Sequence, residues 1–238
     1  MIFAAGKGTR LQPLTNHIPK ALVRIKNIPV LEILIHKLKR YGFEEIIINI
    51  HHFSEQITDF LKTNNNFGIN ISVSNETSLL LETGGGLKKA SWFFNDNKPF
   101  LIHNVDVLSD INLYAIYNKH IYSQSLVTLA VMHRETSRYF LFDNDNRLCG
   151  WQDMKNNKIV RCNDTRENLI PLAFSGIHVV NPAVFNLINE EGVFPITDVY
   201  LRLAKQFKIS AYNHSGSFWM DLGTKENIEK AEMNFSDF

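Results

Sequence analysis

Three groups of residues in this chain are of types that handle phosphorylated ligands. The first is Ala4-Ala5-Gly6-Lys7-Gly8-Thr9-Arg10-Leu11-Gln12-Pro13-Leu14-Thr15, followed by Pro19-Lys20. Gly6 and Gly8 suit either a plain turn or a close approach of the backbone to a ligand, in which successive N–H groups can form a nest around phosphate oxygens. Arg10 adds a planar fork for phosphate and Lys20 a mobile point charge. The second group is a pair of carboxylates, Asp106 after an expected buried strand and Asp221 after the short apolar run Phe218-Trp219-Met220. A hard cation such as Mg²⁺ takes oxygen ligands, usually one or two carboxylates plus substrate phosphates. The same two aspartates could each cap a turn or a helix, and spacing alone leaves both readings open. The third group, Glu82-Thr83-Gly84-Gly85-Gly86, suits either a ligand-facing loop or a plain hairpin or helix entry. Two commoner phosphate motifs are excluded: a dinucleotide GxGxxG and a Walker A loop from Gly6 would both need glycine where Leu11 stands.

These residues need a frame. Met1 to Ala5 reads as a short buried strand, which puts the glycine-rich loop at the C-terminal end of a parallel sheet, where open α/β folds bind ligands. Leu31, Leu34, Ile35 and Leu38 follow helical spacing, with Gly42 as a stop. Ile46 to Ile50 is a β-branched run fit for a strand covered on both faces. Ser54 is expected to cap a helix carrying Ile57, Phe60 and Leu61, and a strand follows over Ile69 to Val73. A helix is expected after Gly86, then a strand from Phe100 running into Asn104-Val105-Asp106. Strand and helix alternating at these lengths imply βαβ units and a mostly parallel sheet.

From about residue 123 the pattern changes to strands, at Val127 to Met132, Tyr139 to Phe142 and Phe174 to Val180, with a turn at Asp143 to Asn146. Pro182 opens a short helix, Thr197 is expected to cap one containing Val199, Leu203 and Phe207, and Thr224 to cap the last. The expectation is one α/β domain over residues 1–238, with residues 1–122 as the core and 123–238 as a small lobe and a return to the core.

Composition narrows the function classes. Lys and Arg number 25 against 24 Asp and Glu, a net charge of +1, too neutral for a protein whose task is neutralising a nucleic acid. No apolar run approaches the roughly 20 residues needed to cross a bilayer, and the N-terminus has no signal-peptide pattern. Cys149 and Cys162 form no CxxC pair, as expected of a reducing interior, so the expected location is the cytoplasm. The nine histidines show no HExxH spacing, and Ser175 lies in no G-x-S-x-G elbow. No nucleic-acid or membrane partner is expected, and no signal for an oligomeric state is present.

Taken as one string, Gly6-x-Gly8-Thr9-Arg10-Leu11-x-Pro13-Leu14-Thr15 with Pro19-Lys20 resembles the signature of the sugar-phosphate nucleotidyltransferases. Asn104-Val105-Asp106 is similar to that family's N-G-D element, with Val105 in place of glycine. Trp219-Met220-Asp221-Leu222-Gly223-Thr224 is similar to its W-x-D-x-G-T element. The resemblance implies a Rossmann-like, mostly parallel but mixed sheet flanked by helices, with a small acceptor lobe, the nucleotide-diphospho-sugar transferase type. It implies Mg²⁺ on Asp106 and Asp221, and catalytic roles for Arg10, Lys20 and Asp106. It implies nucleotide contacts from Ala5, Gly6, Gly8, Thr9, Arg10, Lys20, Glu82, Thr83, Gly84 and Asn104. It places the sugar phosphate near Gly176, Asp198 and Trp219.

The implied reaction joins an NTP, UTP ahead of GTP, to a sugar 1-phosphate. The Glu82 to Gly86 segment and the length resemble N-acetylmuramate-1-phosphate uridylyltransferases most, with mannose- and heptose-1-phosphate guanylyltransferases next. A phosphocholine or phosphonate cytidylyltransferase would use the same chemistry. A Glu-Lys pair that many members carry in the second lobe is missing around Trp151 to Arg161, where Lys155, Lys158 and Arg161 could supply the charge or form a solvated basic loop. That gap and Val105 admit a reading from another class, a nucleotide-sensing subunit without catalysis.

Overall fold

Ile46 to Ile50 are all buried, as a β-branched run covered on both faces must be. They form most of one strand in this computed structural model, which describes residues 1–162 and 168–234. In chain order the first elements are β1 (Ile2–Phe3), β2 (Arg24–Ile25), β3 (Ile28–Pro29), α1 (Val30–Arg40), β4 (Glu45–Ile50), α2 (Ser54–Thr63) and β5 (Asn70–Asn75). They are followed by α3 (Glu82–Lys89), β6 (Phe100–Asn104), β7 (Val107–Ser109), α4 (Leu113–Ser123), β8 (Val127–Met132), β9 (Arg138–Phe142) and β10 (Leu148–Asp153). The last are β11 (Lys158–Arg161), β12 (Ile170–Val180), α5 (Ile196–Leu203), β13 (Ile209–Asn213), β14 (Trp219–Asp221) and α6 (Lys225–Asn234).

The chain divides into two compact units. The first comprises Met1–Leu81, His103–Ile111 and Phe218–Phe238. In it β1 pairs in parallel with β4 on one side, Ile2 opposite Ile48, and with the end of β6 on the other, Ile2 opposite His103. β4 continues in parallel to β5. Helix α1 buries Val30, Leu31, Leu34, Ile35 and Leu38 and carries Glu32 in its first turn and Lys39 and Arg40 in its last, matching the helix dipole. Two short antiparallel ribbons, β2–β3 and β7–β14, complete the unit.

The second unit comprises Glu82–Ile102 and Asn112–Ser217. Its strands are mostly antiparallel, in the order β11-β10-β9-β12, with β8 beside β12 and β13 parallel to β8. The alternating, helix-flanked α/β architecture with a mixed sheet is the one expected.

Local expectations differ in three places. Ser54 does not cap α2; Phe53, in a left-handed conformation at φ 52°, leads the chain in, and the Ser54 hydroxyl instead lies 3.2 Å from Thr77 Oγ1. Helix α3 starts at Glu82, ahead of the glycines instead of after Gly86. A Cβ on Gly84 would stand 2.8 Å from the Phe194 carbonyl oxygen and against its ring, so glycine is what lets this helix approach Phe194. The Phe194 carbonyl then accepts the N–H groups of Gly84 at 2.9 Å and Gly85 at 3.2 Å, two of the orphan donors of a first helical turn. Third, Thr197 lies inside α5, which ends at Leu203, before Phe207. The first N–H of α5, at Ile196, is capped by Thr83 Oγ1 at 3.0 Å, 113 positions away in the chain. Thr224 does cap α6, accepting from Asn227 N at 3.3 Å.

Candidate active site

In the first unit the glycine-rich segment leaves β1 as a fixed loop. Gly8 sits in the left-handed region at φ 65° and ψ 28°, and a Cβ there would meet Thr15 Cγ2 at 2.9 Å and Lys20 Cβ at 3.1 Å. Buried Thr15 donates from Oγ1 to the Gly8 carbonyl at 2.8 Å, and Leu11 N donates to the same oxygen at 2.9 Å. Leu11 is buried with Val23 and Ile228. Together these contacts hold Thr9–Leu11 as a 3-10 turn, leaving Thr9 and Arg10 exposed. Gly6 is exposed, with open space where a Cβ would go.

Lys20 begins another 3-10 turn, after Pro19. Its ammonium forms an ion pair with the Asp106 carboxylate, and both side chains are largely buried, at 12% and 19% exposure. Asp106 lies in the two-residue turn between β6 and β7, and Val105 before it is buried and donates to the Phe3 carbonyl at 3.0 Å. The valine that replaces the resemblance's glycine thus lies buried within the main-chain pairing of the sheet.

The β7–β14 ribbon brings the second carboxylate to the first. Asp221 is opposite Val107 in the register, and Leu222 N donates to the Asp106 carbonyl at 2.8 Å. Asp221 Oδ1 accepts the Gly223 N–H, Asn227 Nδ2 donates to the Asp221 carbonyl at 2.7 Å, and Arg10 Nη2 lies 3.9 Å from Asp221 Oδ2. A side chain on Gly223 would run into both the Asp221 carboxylate and the Arg10 guanidinium. Arg10, Lys20, Asp106 and Asp221 therefore converge from segments far apart in sequence. The donor set fits a hard divalent cation: two neighbouring carboxylates and no soft ligand. Lys20 is bound at Asp106 Oδ2, and a carboxylate has more acceptor directions than one ammonium takes up.

A network not singled out in the sequence supports the loop from behind. Buried Asn49 accepts the Ala4 N–H at 2.8 Å through Oδ1 and donates to Glu76 Oε1 at 2.7 Å; Glu76 Oε2 accepts the Leu81 N–H at 3.1 Å. Asn49 is the polar residue inside an otherwise isoleucine strand, and that irregularity was the available signal. Ala5 is buried beside Ala4, Asn104 is half-buried opposite Phe3, and Trp219 is half-buried opposite Ser109.

The remaining expected residues lie in the second unit. Glu82 is exposed at φ 59° at the start of α3, while Thr83 and Gly84 make the α5 and Phe194 contacts already described. Gly176 is buried in β12 at φ 73°, where the β12–β8 register shifts between Phe174 and His178. Beside it, buried Ser175 Oγ lies 2.6 Å from buried His214 Nε2, a serine–histidine pair enclosed in the core rather than presented to a substrate. Asp198 is exposed in the first turn of α5. Lys155 is exposed in the connection between β10 and β11, and Lys158 and Arg161 are exposed on β11. Among the described residues no helix is long and apolar enough to cross a membrane.

The family model described as nucleotidyl transferase matches residues 1–237. The N-acetylmuramate alpha-1-phosphate uridylyltransferase of Neisseria meningitidis is 30% identical over 98% of this chain and 96% of its own. The mannose-1-phosphate guanyltransferase 2 of Candida glabrata is 29% identical over 96% of this chain and 62% of its own. Among solved structures, a putative glucose-1-phosphate thymidylyltransferase from Bacillus anthracis superposes with a TM-score of 0.79 at 18% identity, covering 99% of this chain and 96% of that one. That last likeness is one of fold.

Proposed function

The chain belongs to the nucleotidyl transferase family, and from that premise we propose that it joins UTP to N-acetylmuramate 1-phosphate, releasing pyrophosphate. The enzyme class follows from the family. The choice of base and sugar is our reading, supported by a relative of that name matched over nearly the full length of both chains. GTP with mannose 1-phosphate is the second reading, supported by a guanyltransferase relative of which this chain spans 62%. The reaction itself rests on one observation, the convergence of Arg10, Lys20, Asp106 and Asp221 beside the glycine-rich loop.

In this reading the sugar phosphate's oxygen attacks the α-phosphorus of the nucleotide in line, and the bond to pyrophosphate breaks. The attacking oxygen is already anionic, so the protein supplies position and charge instead of a general base. The N–H groups of the segment from Gly6 to Arg10, of which only Gly8 is half-buried and the rest exposed, cradle the triphosphate, with Ala5 at the base of the loop. Arg10 and Lys20 offset the charge that gathers on the phosphates. Asp106 and Asp221 would hold Mg²⁺, which when bound offsets charge on nucleotide and acceptor together. Asn104, Glu82, Thr83 and Gly84 are assigned to the nucleoside, and Gly176, Asp198 and Trp219 to the sugar phosphate, on the motif match. We assign all of these to one nucleotidyltransferase domain acting in the cytoplasm.

The test is pyrophosphate release with Mg²⁺ across UTP, GTP, CTP and dTTP, each with N-acetylmuramate, mannose and glucose 1-phosphates. UTP with N-acetylmuramate 1-phosphate is expected to give the highest kcat/KM, to be silenced by EDTA and to fall at least ~10³-fold in Asp106→Ala. A higher value for another pair would replace the substrate assignment, and no turnover with any pair would overturn the reaction.

A further inference from the structure

Helix α1 presents an apolar stripe to the core, and within it stands a lysine. Lys37 is only 8% exposed, and no other lysine or arginine among the described residues is buried. Its ammonium donates to the Ser109 carbonyl at 2.5 Å and to Ser109 Oγ at 3.0 Å; Ser109, 2% exposed, is the last residue of β7. Taking an ammonium out of water is costly. Burial accordingly pushes the Lys37 pKa down to about 8, the Asp110 carboxylate pulling the other way and Arg40 adding to the fall. Filling space alone would be served by Leu or Met at this position without that cost.

What the ammonium holds is the ribbon that carries the two aspartates. A two-stranded ribbon is marginal by itself, and this one has three register pairs, Trp219–Ser109, Met220–Leu108 and Asp221–Val107. Asp106 precedes it and Asp221 ends it, so a shift of the ribbon moves both carboxylates. Lys37 pins the end opposite to them, where Asp110 N also bonds the Phe218 carbonyl at 3.2 Å.

We infer that Lys37 is a positioning residue: its charge clamps the β7–β14 ribbon to α1, and the clamp sets the separation at which Asp106 and Asp221 meet a divalent cation. The second half of this inference rests on the metal reading given above. Residues that orient a metal's ligands typically change affinity or activity 10- to 100-fold when removed.

The experiment uses the full chain with Mn²⁺ as the probe, its binding followed by electron paramagnetic resonance, together with amide hydrogen exchange. Lys37→Met keeps the packing stem and removes the donors. It is expected to weaken Mn²⁺ binding at least ~10-fold and to speed exchange at Leu108 and Met220, leaving Ile47 and Ile48 of β4 protected. Wild-type Mn²⁺ affinity with wild-type ribbon exchange overturns the inference, as does uniformly faster exchange across the first unit. If Lys37→Met does not fold, Ser109→Ala removes one acceptor and is expected to give an intermediate loss of affinity; no loss overturns the inference. Asp221→Asn is run in parallel. Unchanged Mn²⁺ affinity there defeats the metal reading itself, while the exchange comparison still decides whether Lys37 clamps the ribbon.

Discussion

Gly6 and Gly8 look alike in the sequence and have different physical reasons to be glycine. Gly8 needs a left-handed backbone and has Thr15 and Lys20 packed where a Cβ would go. Gly6 has neither constraint, with open space around it. Gly8→Ala should therefore cost about 1–2 kcal/mol of stability from conformation alone, lowering the thermal midpoint as well as nucleotide affinity. Gly6→Ala should leave the midpoint within about a degree and still raise the nucleotide KM, because only a ligand pressed against that backbone would sense the added methyl. Nucleotide titration and calorimetry on both variants check this, and an unchanged KM in Gly6→Ala would refute the cradle. At this scale the motif residues were legible because their side-chain chemistry is unusual at that spacing. Asn49, Glu76 and Lys37 were not, since each acts on a partner 27 or more positions away that only the fold supplies.

Helix α3 shows how tertiary contact overrides local propensity. Three successive glycines disfavour a helix by about 1 kcal/mol each against alanine, which is why a start after Gly86 was expected. The helix nonetheless begins at Glu82 because Phe194 accepts its first N–H groups and can approach only a residue without Cβ. The propensity scale makes Gly84→Ala stabilising; the contact makes it destabilising. Contact wins here, because one of the crowding atoms is the Phe194 carbonyl oxygen at 2.8 Å, which a side-chain rotation cannot move. A thermal midpoint lowered by several degrees is expected, and a raised one would show that Phe194 gives way. Thr83→Val tests the companion contact: losing the remote cap on α5 should cost about 1 kcal/mol in denaturant melts. The central strands and α1 were readable from periodicity, since burial imposes it directly. Caps and ribbons were not, because they depend on which distant segment arrives. The β7–β14 pairing joins residues 107–109 to 219–221, and no local pattern announces it.

On the scale of the whole chain, the opposite charges nearly cancel at +1 at pH 7, so the first response to acid comes from particular buried groups before general repulsion builds. Two stand out, both in the second unit. His120, 2% exposed with Nδ1 3.0 Å from Thr128 Oγ1, is pushed down to about 4 by burial. His178, 1% exposed between the rings of Phe174 and Tyr200, is pushed down to about 3, again chiefly by burial. In the unfolded chain both titrate near 6.5. Below that pH the unfolded state binds protons that the folded state refuses, so stability rises with pH through this window and falls as acid is added. The loss begins near pH 6.5 and grows until the folded values of about 4 and 3 are reached. Between pH 6.5 and 5 most carboxylates are still ionised, so in that interval the slope reports buried basic groups, these histidines and the Met1 amine (pushed down to about 5 by burial), more than the acidic residues. Neither ring nitrogen of His178 has a hydrogen-bond partner among the described residues, so an apolar replacement removes buried polar atoms without stranding a mate. His178→Leu should accordingly match or exceed wild-type stability at pH 7.5 and lose distinctly less between pH 6.5 and 5. Urea midpoints at the two ends of that interval measure the difference, and parallel slopes for variant and wild type would mean that His178 takes up its proton without unfolding the unit that buries it.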